Sequence, residues 1–132
     1  MKSRGELESE VCQVVVQFWR EQFGRGPARI QANVIGPLVY VYLWDSLSRP
    51  EQKLAHALHR PQACELLKRA RFELIEQGRP LLAEALKAVL GTDILCLHTD
   101  VSTRTGDSVL VFRCRQEPLT ADHRPHDVPA AG

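Results

Sequence analysis

Gly36-Pro37 separates two stretches of apolar and extended character, ARIQANV and LVYVYLW, and constrains the fold more than any other pair of residues in the chain. Glycine at the first central position of a type II′ turn supplies the positive φ the turn needs, and the fixed φ of proline is tolerable at the second. A two-residue loop sets Ile35 opposite Leu38 and thereby aligns Val34 with Val39, Ala32 with Val41 and Ile30 with Leu43 as a core face. The other face pairs Asn33 with Tyr40, Gln31 with Tyr42 and Arg29 with Trp44, so that aromatics line one strand and polar or cationic groups its neighbour. A slip of one residue would exchange the two faces, so the assignment rests on the turn.

The rest of the chain supplies helices for that hairpin and a second hairpin beside it. Leu7, Val11, Val14, Val15, Phe18 and Gln22 recur at helical spacing, predicting an amphipathic helix from about Gly5 to Phe23 that stops at Gly24. Gly26-Pro27 then pushes the backbone toward an extended form and into a strand over Ala28 to Val34. After Asp45, Ser48 and Glu51 stand at capping-box spacing with Pro50 in the first turn, predicting a short helix to about Arg60. Pro61 restarts or kinks it, and a longer segment puts Leu66, Leu67, Ala70, Leu74, Leu82, Leu86, Val89 and Leu90 on its apolar side. Pro80, close after Gly78, is expected to bend or break that segment, and Gly91 to close it. TDILCLHTD and DSVLVFRCR read as strands joined by the polar loop Val101 to Gly106. The expected fold is α+β and two-layered: a four-stranded antiparallel sheet with helices mainly on one face, in the order α-β-β-α-α-β-β.

With 132 residues, 44% hydrophobic and 25% charged, the chain has enough apolar surface for one core, which we place in residues 1–115. Residues 116–132 hold three prolines and no periodicity, and are expected to form a disordered tail. The formal net charge of +1 offers no global field for a nucleic acid or an anionic membrane. The longest apolar run, Val34 to Trp44, is interrupted by Gly36-Pro37 and falls short of the roughly 20 residues of a membrane span. The start, MKSRGELESE, turns acidic where a secretory signal turns apolar, which places the expected location in the cytoplasm. Cys12, Cys64, Cys96 and Cys114 form no C-x-x-C pair and read as small core residues.

Chemistry-bearing patterns are sparse. His56 and His59 lie one helical turn apart and His123 and His126 share the tail, but no cysteine or carboxylate stands at a supporting interval, so no metal is expected. His98 and Asp100 share a strand face with Cys96, yet neighbours on one face of a strand are about 7 Å apart, too far for a tight relay. No catalytic residue and no cofactor is expected. The glycines of GRGP precede a strand rather than a helix, which is wrong for a phosphate loop; they leave Arg25 as a contact on an exposed turn. Aromatics beside Arg29 could stack bases as RNA-binding sheets do, but no matching aromatic and glycine run occurs, and nucleic acid is not the favoured partner. The stripe of Tyr40, Tyr42 and Trp44, with Arg29, is the candidate partner-binding surface, because such rings are enriched at interface centres. The competing reading buries them under the first helix or the tail as a second core layer. If the stripe is an interface, a two-fold homodimer is the default.

FGRGPARIQ, WDSLSRPEQKLA, KRARFELIEQGRPLLAEALKAVLGTDILCLHTD and the closing VLVF resemble a small bacterial domain family, MpsC-like, named after the C component of a sodium-translocating, membrane-potential-generating system. The resemblance covers about Gly5 to Arg113 and rests on the Gly24 to Pro27 turn, Asp45, the helix start at Glu51 to Ala55, Arg71-Phe72 and the Leu90-Gly91 junction. The second strand is more apolar here than the family pattern, and the tail departs from it. The resemblance implies an accessory to ion or inorganic-carbon (bicarbonate) uptake machinery and carries no catalytic residue across. The expected function is therefore that of a non-enzymatic cytoplasmic accessory or regulatory protein, homodimeric, with a membrane-transport or carbon-uptake protein as partner. The alternative is a ligand- or nucleic-acid-binding module using Arg25, Arg29, Tyr40, Tyr42 and Trp44.

Overall fold

The computed structural model describes residues 1–57 and 60–122. Its elements are α1 (Arg4–Phe23), β1 (Arg29–Ile35), β2 (Leu38–Trp44), α2 (Arg49–Ala55), α3 (Arg60–Leu90), β3 (Ile94–Val101) and β4 (Ser108–Cys114), the expected α-β-β-α-α-β-β order. All strand pairs are antiparallel, and the four-stranded sheet runs β1-β2-β4-β3. The last strand enters beside β2, leaving β1 and β3 as edges.

The front hairpin has the register that its turn demands, from Ile35 opposite Leu38 to Arg29 opposite Trp44. Gly36 adopts φ +59°, the positive angle that a side chain would resist. One side of the sheet is the core: Ala32, Val34, Val39, Val41, Leu43, Leu110, Phe112 and Cys114 are all buried there. Pairing of β2 with β4 puts Val39 against Phe112 and Val41 against Leu110, so the two hairpins share one apolar surface.

Two helices cover that surface. At the start of α1, Ser3 accepts from the Glu6 amide while the Glu6 carboxylate accepts from the Ser3 amide, and at its end Gly24 turns left-handed (φ +80°) to close the last turn. Leu7, Val11, Val15, Phe18 and Trp19 form its buried stripe. On α3 the buried positions Ala63, Leu67, Arg71, Ile75, Leu82, Leu86 and Leu90 keep one phase along the whole helix. Leu66 and Ala70, expected on the apolar side, face solvent instead. The stripe stays in phase across Pro80, and the helix, expected to bend or break there, does not break. The missing Pro80 N–H forfeits a bond to the Glu76 carbonyl, a loss of about 3 kcal/mol. Burying Leu82, Leu86 and Leu90 at about 1.5–3 kcal/mol each outweighs it, and does so only if the second half of the helix stays aligned with the first. Gly78 sits where Phe18 and Gln22 of α1 press on the backbone of α3.

The capping box of Ser48 and Glu51 is present with Pro50 in the first turn, but α2 ends at Ala55 rather than near Arg60. It is short because its inward residues, Ala55 with Leu54 beside it, complete a small second cluster with Leu47, Leu67 and Val101. Past β4 the chain turns back toward the start of α1. Ala121 N donates to the Lys2 carbonyl (2.9 Å), Arg4 N donates to Asp122 Oδ1 (2.7 Å), and Pro118 and Thr120 are buried. The remainder of the expected tail, residues 123–132, lies outside the described residues.

Candidate functional site

The sheet's second side carries no helix among the described residues, since α1 and α3 both pack on the core side. Strand alternation and the observed register bring together four rows on it: Arg29 and Trp44; Gln31, Tyr42, Val109 and Asp100; Asn33, Tyr40, Val111 and His98; and Ile35, Leu38, Arg113 and Cys96. Three of the expected residues form one stacked unit. The Arg29 guanidinium lies 4.5 Å from the Trp44 ring, and the Trp44 and Tyr42 rings are 4.5 Å apart at 58°. The Tyr42 hydroxyl donates to Asp107 Oδ2 (2.8 Å), and Asp107 Oδ1 accepts from the Asp45 amide (3.0 Å). That bond to a carboxylate holds the Tyr42 phenol above its ordinary pKa, because ionisation would set two negative groups against each other. The stack is thereby held in place within the domain itself.

Tyr40 stands apart from this stack, between Asn33 and Val111, with 37% of its surface in water. Ile35 and Leu38 are comparably exposed beside the turn. These two, with Val109 and Val111, enlarge the apolar band beyond the residues that pattern reading selected. Alternation within DSVLVFRCR carried the signal for the valines, but only the placement of β4 next to β2 brings them to Tyr40 and Tyr42.

Arg25 is engaged within its own domain. It donates to the Leu47 and Asp45 carbonyls (3.0 and 3.2 Å) and lies 3.5 Å from the Asp45 carboxylate. Asp45 itself adopts φ +51°, a left-handed conformation that aspartate tolerates better than most residues, and this turns the chain from β2 down into the buried Ser46 and Leu47. His98 and Asp100 sit on the open face, and Asp100 pairs with Lys68 at 3.3 Å and accepts from the Val101 amide. His59, His123 and His126 lie outside the described residues. Among the described residues no cluster of three or more histidine, cysteine, aspartate or glutamate side chains is placed to hold a metal ion.

Pattern reading missed the buried charge at Arg71. Its side chain, 3% exposed, donates from Nη1 to Glu51 Oε2 (2.8 Å) and from Nη2 to Ser108 Oγ (3.2 Å). Its guanidinium lies over Phe23 (4.1 Å) and near Trp19 (5.3 Å). Proton directions along this network follow by elimination. Arg71 can only donate, and Ser46 gives its hydroxyl proton to the Gly106 carbonyl (2.8 Å), so Ser108 donates to Ser46 across 2.6 Å. Burial lowers the Arg71 pKa from its ordinary value and the Glu51 carboxylate pulls it back. The network ties α2, α3 and both hairpins together at one end of the sheet.

No helix among the described residues is long and apolar enough to cross a membrane. No solved structure matches the chain. Two relatives from Bacillus subtilis (strain 168) do: uncharacterized protein YbcI is 29% identical over 112 residues, covering 85% of this chain and 88% of that protein. Uncharacterized protein YrhF is 26% identical over 104 residues, covering 78% and 83%. The family described as "Na+-translocating membrane potential-generating system (MpsC)" matches residues 3–116, from the cap of α1 to just past β4, so the chain belongs to the MpsC family.

Proposed function

We propose that this protein is a non-enzymatic accessory or regulatory protein that acts by association, and that the open sheet face pairs with a second copy of the chain. The observation that supports this best is a sheet that the described residues cover on one side only, with a central band of Leu38, Tyr40, Tyr42, Trp44, Val109 and Val111 on the other. An apolar band on a sheet face favours a protein partner over water. The charges around it favour a second copy over a strongly charged partner: Arg29 and Arg113 are matched by Asp100 and Asp107. A two-fold axis along the strands sets β2 over the partner's β4 and brings Arg29 toward the partner's Asp100. An axis across the strands sets β2 on β2 and brings Arg113 toward the partner's Asp107. Both bury the band and oppose unlike charges. The engagement of Arg25 with Asp45 and of Arg29 with Trp44 leaves fewer free cations for a phosphate backbone, which weakens the nucleic-acid reading.

The face is modest in size. Its four strands at about 4.8 Å spacing and seven residues at about 3.3 Å rise give a footprint of about 440 Å², against about 800 Å² per partner in a standard interface. The dimer is therefore expected in the micromolar range. Light scattering between about 1 and 200 μM should follow the mass from one chain toward two, and Tyr42→Ala with Trp44→Ala should hold it at one with the fold intact. A mass that stays at one chain throughout excludes the dimer, and a double variant that still pairs excludes this face. Arg29→Asp combined with Asp100→Arg restores pairing under the along-strand axis and not under the other.

The family description supports placing this role beside membrane-potential machinery, with inorganic-carbon uptake as the narrower reading and the cytoplasm as its location. Deleting the gene should change the membrane potential reported by a voltage-sensitive dye and impair growth at low inorganic carbon. Unchanged potential and growth in the deletion strain would overturn that link. A deletion strain complemented by the Tyr42→Ala, Trp44→Ala chain should behave as the deletion does.

A further inference from the structure

Beside the open face, between the middle of α3 and the end of β3, lies a cleft of about 300 Å³, at the small end of the range for metabolite sites. Lys68, Arg69 and Phe72 stand at its helix side, Thr99 at its strand side, and Arg71 and Ser108 in its floor. Its charges leave a surplus. Arg71 is neutralised by Glu51 and Lys68 is matched by Asp100, while Arg69 pairs with no carboxylate among the described residues. The Lys68 to Asp100 pair is loose, 3.3 Å between side chains about half or more exposed, so Lys68 is free to exchange its partner. Arg71 is tightly held, but through one N–H on each of Nη1 and Nη2, which leaves its Nε–H and a second hydrogen on each Nη without an acceptor among the described residues. A guanidinium in the floor of a cleft with N–H donors to spare can take a further acceptor there.

The structural tasks of this corner are already met by Arg71, Glu51, Ser108 and Ser46. They do not explain why Phe72 stands half exposed at the rim beside two further cations and a threonine hydroxyl. We propose that the cleft binds a small monocarboxylate, its carboxylate held among Lys68, Arg69 and the Arg71 Nε–H and its carbon body laid against Phe72 and Ile75. One surplus positive charge matches one carboxylate better than a phosphate monoester, which carries about −1.5 to −2 at neutral pH. The site shares Asp100 with the face of the association reading, but its ligand test does not depend on pairing of the chain.

Nuclear magnetic resonance titration of the full chain with sodium benzoate tests it, with inorganic phosphate and sodium chloride at matched ionic strength as the other arms. Benzoate should shift the amides of residues 68–72 and 99–101 saturably, and phosphate and chloride should not saturate. Lys68→Ala and Arg69→Ala sit at exposed positions and should each weaken benzoate about two- to fivefold with the spectrum otherwise preserved. Failure of benzoate to saturate those amides overturns the site. Equal affinity in the double variant Lys68→Ala, Arg69→Ala overturns the assigned cations. Phosphate saturating the same amides more tightly than benzoate overturns the ligand class.

Discussion

Replacing Arg71 by methionine separates two roles that the guanidinium combines. Methionine keeps an unbranched apolar stem against Phe23 and Trp19 but leaves Glu51 Oε2 without a cation and Ser108 Oγ without a donor. Breaking a buried ion pair by removing one partner costs about 3–5 kcal/mol. The Glu51 side chain keeps 17% of its surface in water and can partly rehydrate, which places the expected loss at the low end, about 3 kcal/mol. At a urea m-value of about 1.5 kcal/mol per molar, the midpoint should fall by about 2 M. Unfolding is followed by tryptophan fluorescence and far-ultraviolet circular dichroism at one protein concentration, since association would make the midpoint depend on it. The second variant gives the sign that matters. Glu51→Gln keeps the capping box, because glutamine serves at that position, and in combination with Arg71→Met it removes the stranded charge. The double variant should therefore be more stable than Arg71→Met alone, with a coupling of about 2 kcal/mol in the cycle. A midpoint shift below about 0.5 M for Arg71→Met, or losses that simply add in the double variant, would refute the view that this pair braces the fold.

Gly78→Ala should destabilise although alanine is the better helix former by about 1 kcal/mol, because a Cβ there would stand 2.5 Å from Phe18 Cε2 and 2.7 Å from Gln22 Nε2; a loss of about 1–3 kcal/mol in urea is expected, and a gain would mean that α1 and α3 have room to part. Cys114, whose thiol burial pushes up to about 11, should resist iodoacetamide at pH 8 in the folded protein and react once urea unfolds it, as mass spectrometry of its peptide would reveal; rapid labelling when folded contradicts its burial. Tyr42 should ionise above the ordinary 10.0 in an absorbance titration at 295 nm, and Asp107→Ala should lower that value. Since its folded pKa is the raised one, the stability from this bond is complete below pH 10 and is lost as pH rises through the folded value, a dependence that Tyr42→Phe should abolish.

What the residues disclosed in advance was whatever a local rule decides. The Gly36-Pro37 turn determines register within one hairpin, and Ser48 with Glu51 marks a helix start, so both were readable without tertiary context. The orientation of Tyr40, Tyr42 and Trp44 away from the core followed from that register alone. The α3 stripe was misplaced toward Leu66 and Ala70 because Arg71, a charged residue, occupies a buried position, and an apolar count assigns such a residue to the wet side. Only the coincidence of Glu51, Ser108 and two rings, brought from three other elements, makes that burial tolerable. Pro80 was overvalued as a breaker because the penalty is local while the leucine burial that offsets it is not. Strand order, and with it the place of Val109 and Val111 beside the tyrosines, depends on long-range pairing that no short window contains.

The contact of Ala121 with Lys2 and of Asp122 with Arg4 brings the two ends of the described domain to one corner, on the helix side of the sheet. Topologically the domain is a ring with a single cut. A short peptide joining residue 122 to residue 1 would close it, and the opening could be moved to a surface loop without disturbing the sheet, giving a circular permutant with the same bare face. A tether grafted at residue 1 or at residue 122 would therefore start from that same corner, on the side of the sheet away from the aromatic stripe.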